Sequence, residues 1–151
     1  MTVPADDDLR TGEVAVELPA APDAAIYFIG TIRTPWRTRA ECPKRGSADG
    51  PICRLEIDPR YAAALSGLAD HPRLQVLYWM HQARRDLVLQ TPHRTGVTAG
   101  TFALRSPVRP NPIASSIVDL AGIDANAVLV RGLDCLEGTP LVDLKPDRRT
   151  D

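Results

Sequence analysis

Chemistry in this chain is concentrated in four short runs of residues. The least ordinary is Arg105-Ser-Pro-Val-Arg109-Pro-Asn111-Pro112, where prolines 107, 110 and 112 fall within six positions. Each proline fixes φ near −65° and deletes a backbone donor, so the run is a stiff turn that cannot lie inside a sheet. A rigid backbone carrying Arg105, Arg109 and Asn111 can hold forked donors toward a carboxylate or phosphate; the plain alternative is a proline-rich connection with solvated arginines. His81-Gln82 stands at the end of the apolar run 74–80, a place where a histidine serves either as a hydrogen-bonding strut or as a proton-handling group. Pro43-Lys44-Arg45-Gly46 puts two cations beside a flexible glycine, suited to covering a polar ligand or to a mobile basic surface. Glu137-Gly138-Thr139-Pro140 reads as a hairpin turn in which Gly138 can take positive φ.

The elements that must position these runs are mostly short strands. Alternating apolar residues predict strands from Ala25 to Thr34 and over 52–57, a nearly continuous apolar run predicts one at 74–80, and further strand candidates follow at 101–104, 113–120, 127–131 and 141–144. Asp58-Pro59 predicts a helix start, with Asp as cap and Pro at the first helical position, ending near Gly67. Residues 35–51 and 91–100 read as loops, the first long enough to suggest a functional one. Strands seldom alternate with helices, so the expected fold is mainly β: a small antiparallel β-barrel with one short helix and long loops. The expected organisation is a loose N-terminal leader over 1–23, within which Glu13–Leu18 has the alternation of a short strand, followed by a single domain over 24–151.

Composition narrows the function classes. The 151 residues and 44% hydrophobic content suit one soluble domain. Cys42, Cys53 and Cys135 are odd in number and show no metal-ligand spacing, so no metal and a cytoplasmic setting are expected. No apolar run approaches membrane-spanning length, so no membrane association is expected. The motifs GxGxxG, GxxxxGK[ST] and GxSxG are absent, which argues against Rossmann-type, P-loop and hydrolase chemistry. The net charge of −1 conceals a basic middle: residues 33–109 carry 13 Lys+Arg against 6 Asp+Glu, between two acidic ends. Such a stretch can supply a phosphate-binding face.

Taken together, IGTIRTPW (Ile29–Trp36) with PKRG behind it, IDPRY (Ile57–Tyr61), YWMHQARRD (Tyr78–Asp86), FALRSPVRPNPIASSIVDL (Phe102–Leu120) and LDCLEGTPLVDLKP (Leu133–Pro146) resemble the TsaA-like family, which includes the TrmO tRNA methyltransferases. The resemblance runs from about Ala25 to Pro146. It implies a β-barrel that binds S-adenosyl-L-methionine, forms a homodimer and methylates N6 of threonylcarbamoyl-adenosine beside the tRNA anticodon. By matched position, the donor contacts would be Pro43, Lys44, Arg45, His81, Gln82, Arg105, Ile117, Glu137, Gly138, Thr139 and Pro140. Arg109 and Asn111 would serve architecture or tRNA, and His81 is the candidate catalytic residue. Where the family commonly reads Pro-Arg-Gln this chain has Pro43-Lys44-Arg45, and Glu137 and Ala114 stand in place of Asp and Gly. The alternatives are a donor- or RNA-binding barrel without turnover, or a small-molecule methyltransferase.

Overall fold

A computed structural model describes residues 9–148, which fall into two compact units. One comprises Ile26–Trp79 with the C-terminal stretch from Ala114; the other comprises Met80–Ile113 with the N-terminal stretch through Ala25.

Six strands of the first unit close into a barrel. They are β2 (Gly30–Arg33), β3 (Cys53–Ile57), β4 (Arg73–Trp79), β7 (Ile113–Asp124), β8 (Ala127–Arg131) and β9 (Thr139–Pro146), in the order β2-β3-β8-β7-β4-β9. Their alternation is the cause: Leu74, Val76 and Tyr78 of β4 and Cys53, Leu55 and Ile57 of β3 are buried while their neighbours face outward. With Ile32, Val118, Val128, Val130 and Leu141 these residues form the core. Strand β9 closes the ring, pairing Gly30 with Leu141 on one side and Val76 with Leu144 on the other. Register shifts at Leu77/Tyr78 and Leu120/Gly122 add the local twist that closure requires. A closed barrel leaves no edge strand to recruit another chain.

The barrel and its mainly β character agree with the sequence expectation, and three details differ. The helix after Asp58 is a 3-10 helix (Pro59–Leu65), capped by Asp58 Oδ1 accepting from Arg60 N at 3.0 Å and followed by Gly67 at φ 83°. It buries no residue, so no packed apolar face sustains a longer α-helix. The strand expected from Ala25 begins only at Gly30, and Ile26, Tyr27 and Phe28 are exposed. Residues 101–104 form a 3-10 turn (Thr101–Ala103) instead of a strand.

The second unit is built on a three-stranded antiparallel sheet of β1 (Val14–Ala15), β5 (Leu87–Gln90) and β6 (Ala99–Gly100), in the order β1-β5-β6. Within the expected leader, Arg10 Nη1 donates to Thr91 O and Thr91 N donates to Glu13 Oε1, both at 3.0 Å. Thr101 explains the 3-10 turn. Its hydroxyl donates to Leu87 O at 2.7 Å and accepts from Gln90 Nε2 at 2.8 Å, fixing the chain by a side chain where a strand would use a ladder.

Arg84 grips Asp86 with two bonds, Nε to Oδ1 at 2.7 Å and Nη2 to Oδ2 at 2.9 Å, each side chain 15% exposed. The Arg84 hydrogen bonds hold the Asp86 carboxyl below its ordinary value. A carboxyl depressed in the folded state contributes stability above the unfolded value of about 3.9 and loses it as pH falls through the folded value. Amide protection factors around residues 84–90, corrected for the intrinsic pH dependence of exchange, are therefore expected to fall in acid below pH ~4, and Asp86→Asn should show that loss already at neutral pH. Equal exchange in both proteins at pH 7 would remove the pair from the stability of this unit.

Candidate donor-binding site

The first long loop is pinned at four places within the barrel unit. Glu137 N donates to Trp36 O at 2.7 Å. Glu41 Oε2 accepts from Arg37 N at 2.8 Å and Thr38 N at 2.9 Å, closing a turn that ends at Cys42. Arg131 Nη1 donates to Gly50 O at 2.8 Å. Between these, the Gly46 backbone lies on that of Gly132 so closely that a Cβ at Gly46 would overlap the Gly132 carbonyl. Gly132, at φ 114°, in turn rests against Ile117 O and Val118. The loop carrying Pro43, Lys44 and Arg45 is thereby anchored beside Ile117, with Lys44 and Arg45 exposed. Two of the sequence-predicted segments thus come together through a pair of glycines.

The Glu137–Pro140 turn is set by the start of the first loop. Glu137 Oε1 accepts from Arg33 Nη1 at 3.1 Å and Oε2 from Thr34 N at 3.2 Å, while Gly138 N donates to Ile32 O at 2.9 Å. Gly138 has φ 79° and Thr139 Oγ1 donates to Leu136 O at 2.6 Å, the geometry its sequence implied. Both oxygens of Glu137 therefore bond protein groups. Arg33 also reaches Glu56 at 3.0 Å, and its hydrogen bonds to Glu56 and then Glu137 raise its affinity for the proton.

His81, Gln82, Arg105, Arg109 and Asn111 belong to the other unit. His81 and Gln82 are exposed on a turn in which Ala83 N donates to Met80 O at 3.0 Å, and Met80 N donates to Pro112 O at 2.8 Å. That last bond ties the histidine turn to the proline-rich run. The run itself is held by side chains: Gln90 Nε2 donates to Val108 O and Arg85 Nε to Pro110 O, both at 2.6 Å. Arg109 Nη1 donates to Leu104 O and Ser106 O, each at 3.0 Å. A segment stripped of amide donors by proline is thus held through its carbonyls. Arg85 and Arg109 serve architecture here, while Arg105 and Asn111 are exposed.

Sequence reasoning missed Tyr78, Ser116 and Asp134. The Tyr78 hydroxyl lies 2.8 Å from Ser116 Oγ and donates to Asp134 Oδ1 at 3.0 Å. Burial and the Asp134 charge push the phenol well above its ordinary value. Burial also raises Cys42, Cys53 (to about 11) and Cys135 (to about 12), so these thiols stay protonated near neutrality. A polar residue inside the apolar run 74–80 was the available signal, but alternation alone does not say what meets a tyrosine hydroxyl.

A separate groove of about 600 Å³ in the barrel unit is lined by Phe28, Thr31, Arg54, Glu56, Asp58 and Asn126, among others, and by no predicted site residue. Its carboxylates pair with arginines at the surface, as in Arg54–Asp124 at 3.6 Å. Among the described residues no helix is long and apolar enough to cross a membrane, and no group of three or more His, Cys, Asp or Glu could hold a metal ion.

Comparison with known proteins gives a consistent result. The family of the tRNA-methyltransferase O N-terminal domain matches residues 31–149. A probable S-adenosyl-L-methionine-binding protein, VirR of Rhizobium radiobacter, is 54% identical over 140 residues, covering 93% of this chain and 80% of that protein. The tRNA (adenine(37)-N6)-methyltransferase of Escherichia coli is 35% identical over 130 residues, covering 78% of this chain and 55% of the enzyme. The crystal structure of TrmO from Pseudomonas aeruginosa superposes with a TM-score of 0.69 at 31% identity, covering 84% of this chain and 55% of that one. The chain thus spans about half the length of the tRNA methyltransferases it matches. From the stacked glycines of the first loop to the Gly138 turn, the residues described above fall inside the matched segment, and the chain belongs to the TrmO N-terminal-domain, or TsaA-like, family.

Proposed function

We propose that this chain is an S-adenosyl-L-methionine-dependent methyltransferase whose acceptor is N6 of threonylcarbamoyl-adenosine beside a tRNA anticodon. The observation that carries the reading is the anchoring of Pro43-Lys44-Arg45 beside Ile117 through Gly46 and Gly132, in a chain of this family. Gly46 lets the loop backbone approach the Gly132 carbonyl where a Cβ would intervene, and a loop held in place in this way suits the covering of a small polar ligand. Exposed Lys44 and Arg45 match the carboxylate of a methionine moiety. The Gly138–Pro140 turn offers main-chain groups, whereas the Glu137 side chain acts as a strut because Arg33 and Thr34 occupy it.

When bound, the donor supplies a methyl group on a sulfonium. The residues have to align donor and acceptor, and alignment alone lowers a barrier by about 7–11 kcal/mol. By the family resemblance His81, Gln82 and Arg105 are further proposed donor contacts, with His81 as a positioning or proton-handling group. We further propose that residues 24–151 act as one catalytic domain, and that the protein works as a homodimer in the cytoplasm. The arginines of the basic middle region would contact tRNA phosphates, giving affinity that falls steeply with salt.

Replacing His81 with alanine is expected to lower turnover at least tenfold. Normal turnover and normal donor affinity in that variant would exclude the residue from the site. A second reading, donor binding without transfer, is favoured by the name of the 54% identical relative, which is a probable binding protein. Incubation with methyl-labelled S-adenosyl-L-methionine and tRNA, with and without the threonylcarbamoyl modification, decides between them. Label in modified tRNA alone supports the proposal, while donor binding with no label in tRNA or small metabolites supports the second reading.

A further inference from the structure

The barrel unit holds one carboxylate at the meeting point of its site segments. Asp134 lies three residues before the Glu137 turn, and its Oδ1 accepts from the buried Tyr78 hydroxyl of β4 at 3.0 Å. That hydroxyl is also 2.8 Å from Ser116 Oγ, the residue before Ile117. Cys42, the residue before Pro43, has its thiol pushed up by burial and then by the charge of Asp134. Among the described residues no hydrogen bond reaches Asp134 Oδ2, and the side chain is half-buried. The titratable groups around it are Tyr78 from β4, Cys42 from the first loop and the neighbouring Cys135. These are protonated, uncharged groups at neutral pH.

We propose that Asp134 is the proton acceptor of the transfer step and that Tyr78, through its bond to Oδ1, is the positioning residue that turns Oδ2 toward the acceptor. The inference rests on the methyltransferase reading and deepens it. An N6 flanked by a carbamoyl carbonyl is a poor nucleophile until its proton leaves. In the balanced step, the N6–H proton passes to Asp134 Oδ2 and the nitrogen pair forms the new N–C bond. The C–S bond breaks with its electrons going to sulfur, leaving a neutral thioether, a methylated nitrogen and a protonated carboxyl. Of the two roles open to His81, positioning then remains. The bond from Tyr78 matters because it keeps one oxygen occupied and fixes the carboxylate plane, so that a single lone-pair direction serves the substrate.

The test is Asp134→Asn, an isosteric change that Tyr78 can still hydrogen-bond. Positioned general bases contribute about 10²–10⁴-fold, so kcat should fall at least about a hundredfold with donor Kd, measured by calorimetry with S-adenosyl-L-methionine, within about threefold. The residual rate should rise in proportion to hydroxide concentration, which loss of a merely structural group would not produce. Tyr78→Phe keeps the carboxylate and frees its orientation. A fall in kcat of roughly tenfold is expected, again without change in donor Kd, and this variant carries the test if the first does not fold. Turnover of Asp134→Asn within threefold of the parent, or a donor affinity that falls in step with turnover, overturns the proposal. A parent protein that binds donor but methylates no acceptor overturns the methyltransferase reading as well, so the two failures are told apart by the parent's own turnover.

Discussion

Leu141→Ala is expected to destabilise the protein by about 3 kcal/mol, within the range for a fully buried leucine whose cavity cannot collapse. Leu141 has no exposed surface and stands opposite both Gly30 of β2 and Tyr78 of β4. It is therefore a contact of the strand that closes the barrel, and its O accepts from Ile29 N at 2.8 Å. Side chains across a closed ring cannot all move inward together, because each strand is hydrogen-bonded on two sides. For a chain of this size the loss corresponds to a fall in Tm of roughly 10 °C. Leu65, half-exposed in the 3-10 helix that buries nothing, is the control. Leu65→Ala should cost less than about 1 kcal/mol, and equal losses at the two positions would show that β9 does not carry the closure.

Gly46→Ala should lower ligand affinity in the folded protein. A methyl group at Gly46 meets the carbonyl of Gly132, which is main chain on a barrel segment and cannot rotate aside. The loop has to lift there, while the bonds at Trp36, at Glu41 and at Gly50 stay in place. Relieving a main-chain overlap costs some fold stability, and it displaces the adjoining Pro43, Lys44 and Arg45. Donor affinity is expected to fall tenfold or more, about 1.4 kcal/mol, in calorimetric titration with S-adenosyl-L-methionine. Unchanged affinity would mean that this loop does not contact the donor, whatever its likeness to the family.

Much of the barrel was legible because its strands are short and apolar or alternating. Residues 52–57 carry the period of two that a half-buried strand requires, and the short, nearly continuous apolar run at 74–80 marks a buried one; β3 and β4 lie there. The same period misleads at Ile26 and Phe28, which alternate but are exposed, because alternation reports compatibility with a ladder and not the presence of a partner. Leu87–Gln90 passed unnoticed beside the charged run Arg84-Arg85-Asp86, whose charges are spent on one bidentate pair and one carbonyl. In the site, Gly138 announced its turn, since positive φ is a local demand. The stacking of Gly46 on Gly132 and the Tyr78–Asp134 bond join residues far apart in sequence, and nothing local encodes such pairs. The replacement of the family's usual Asp by Glu137 also gains a reason: the longer side chain reaches both Arg33 and Thr34 N.

Strands β4 and β7 are neighbours in the barrel, yet the chain leaves at the end of one and returns at the start of the other only after Met80–Ile113. The entropy of closing such an excursion grows only with the logarithm of its length, about 0.6 kcal/mol for each doubling. Barrel stability is accordingly almost indifferent to how long the detour is. Residues 80–113 can therefore gain or lose length between family members at little thermodynamic cost, so long as both ends meet the same two strands.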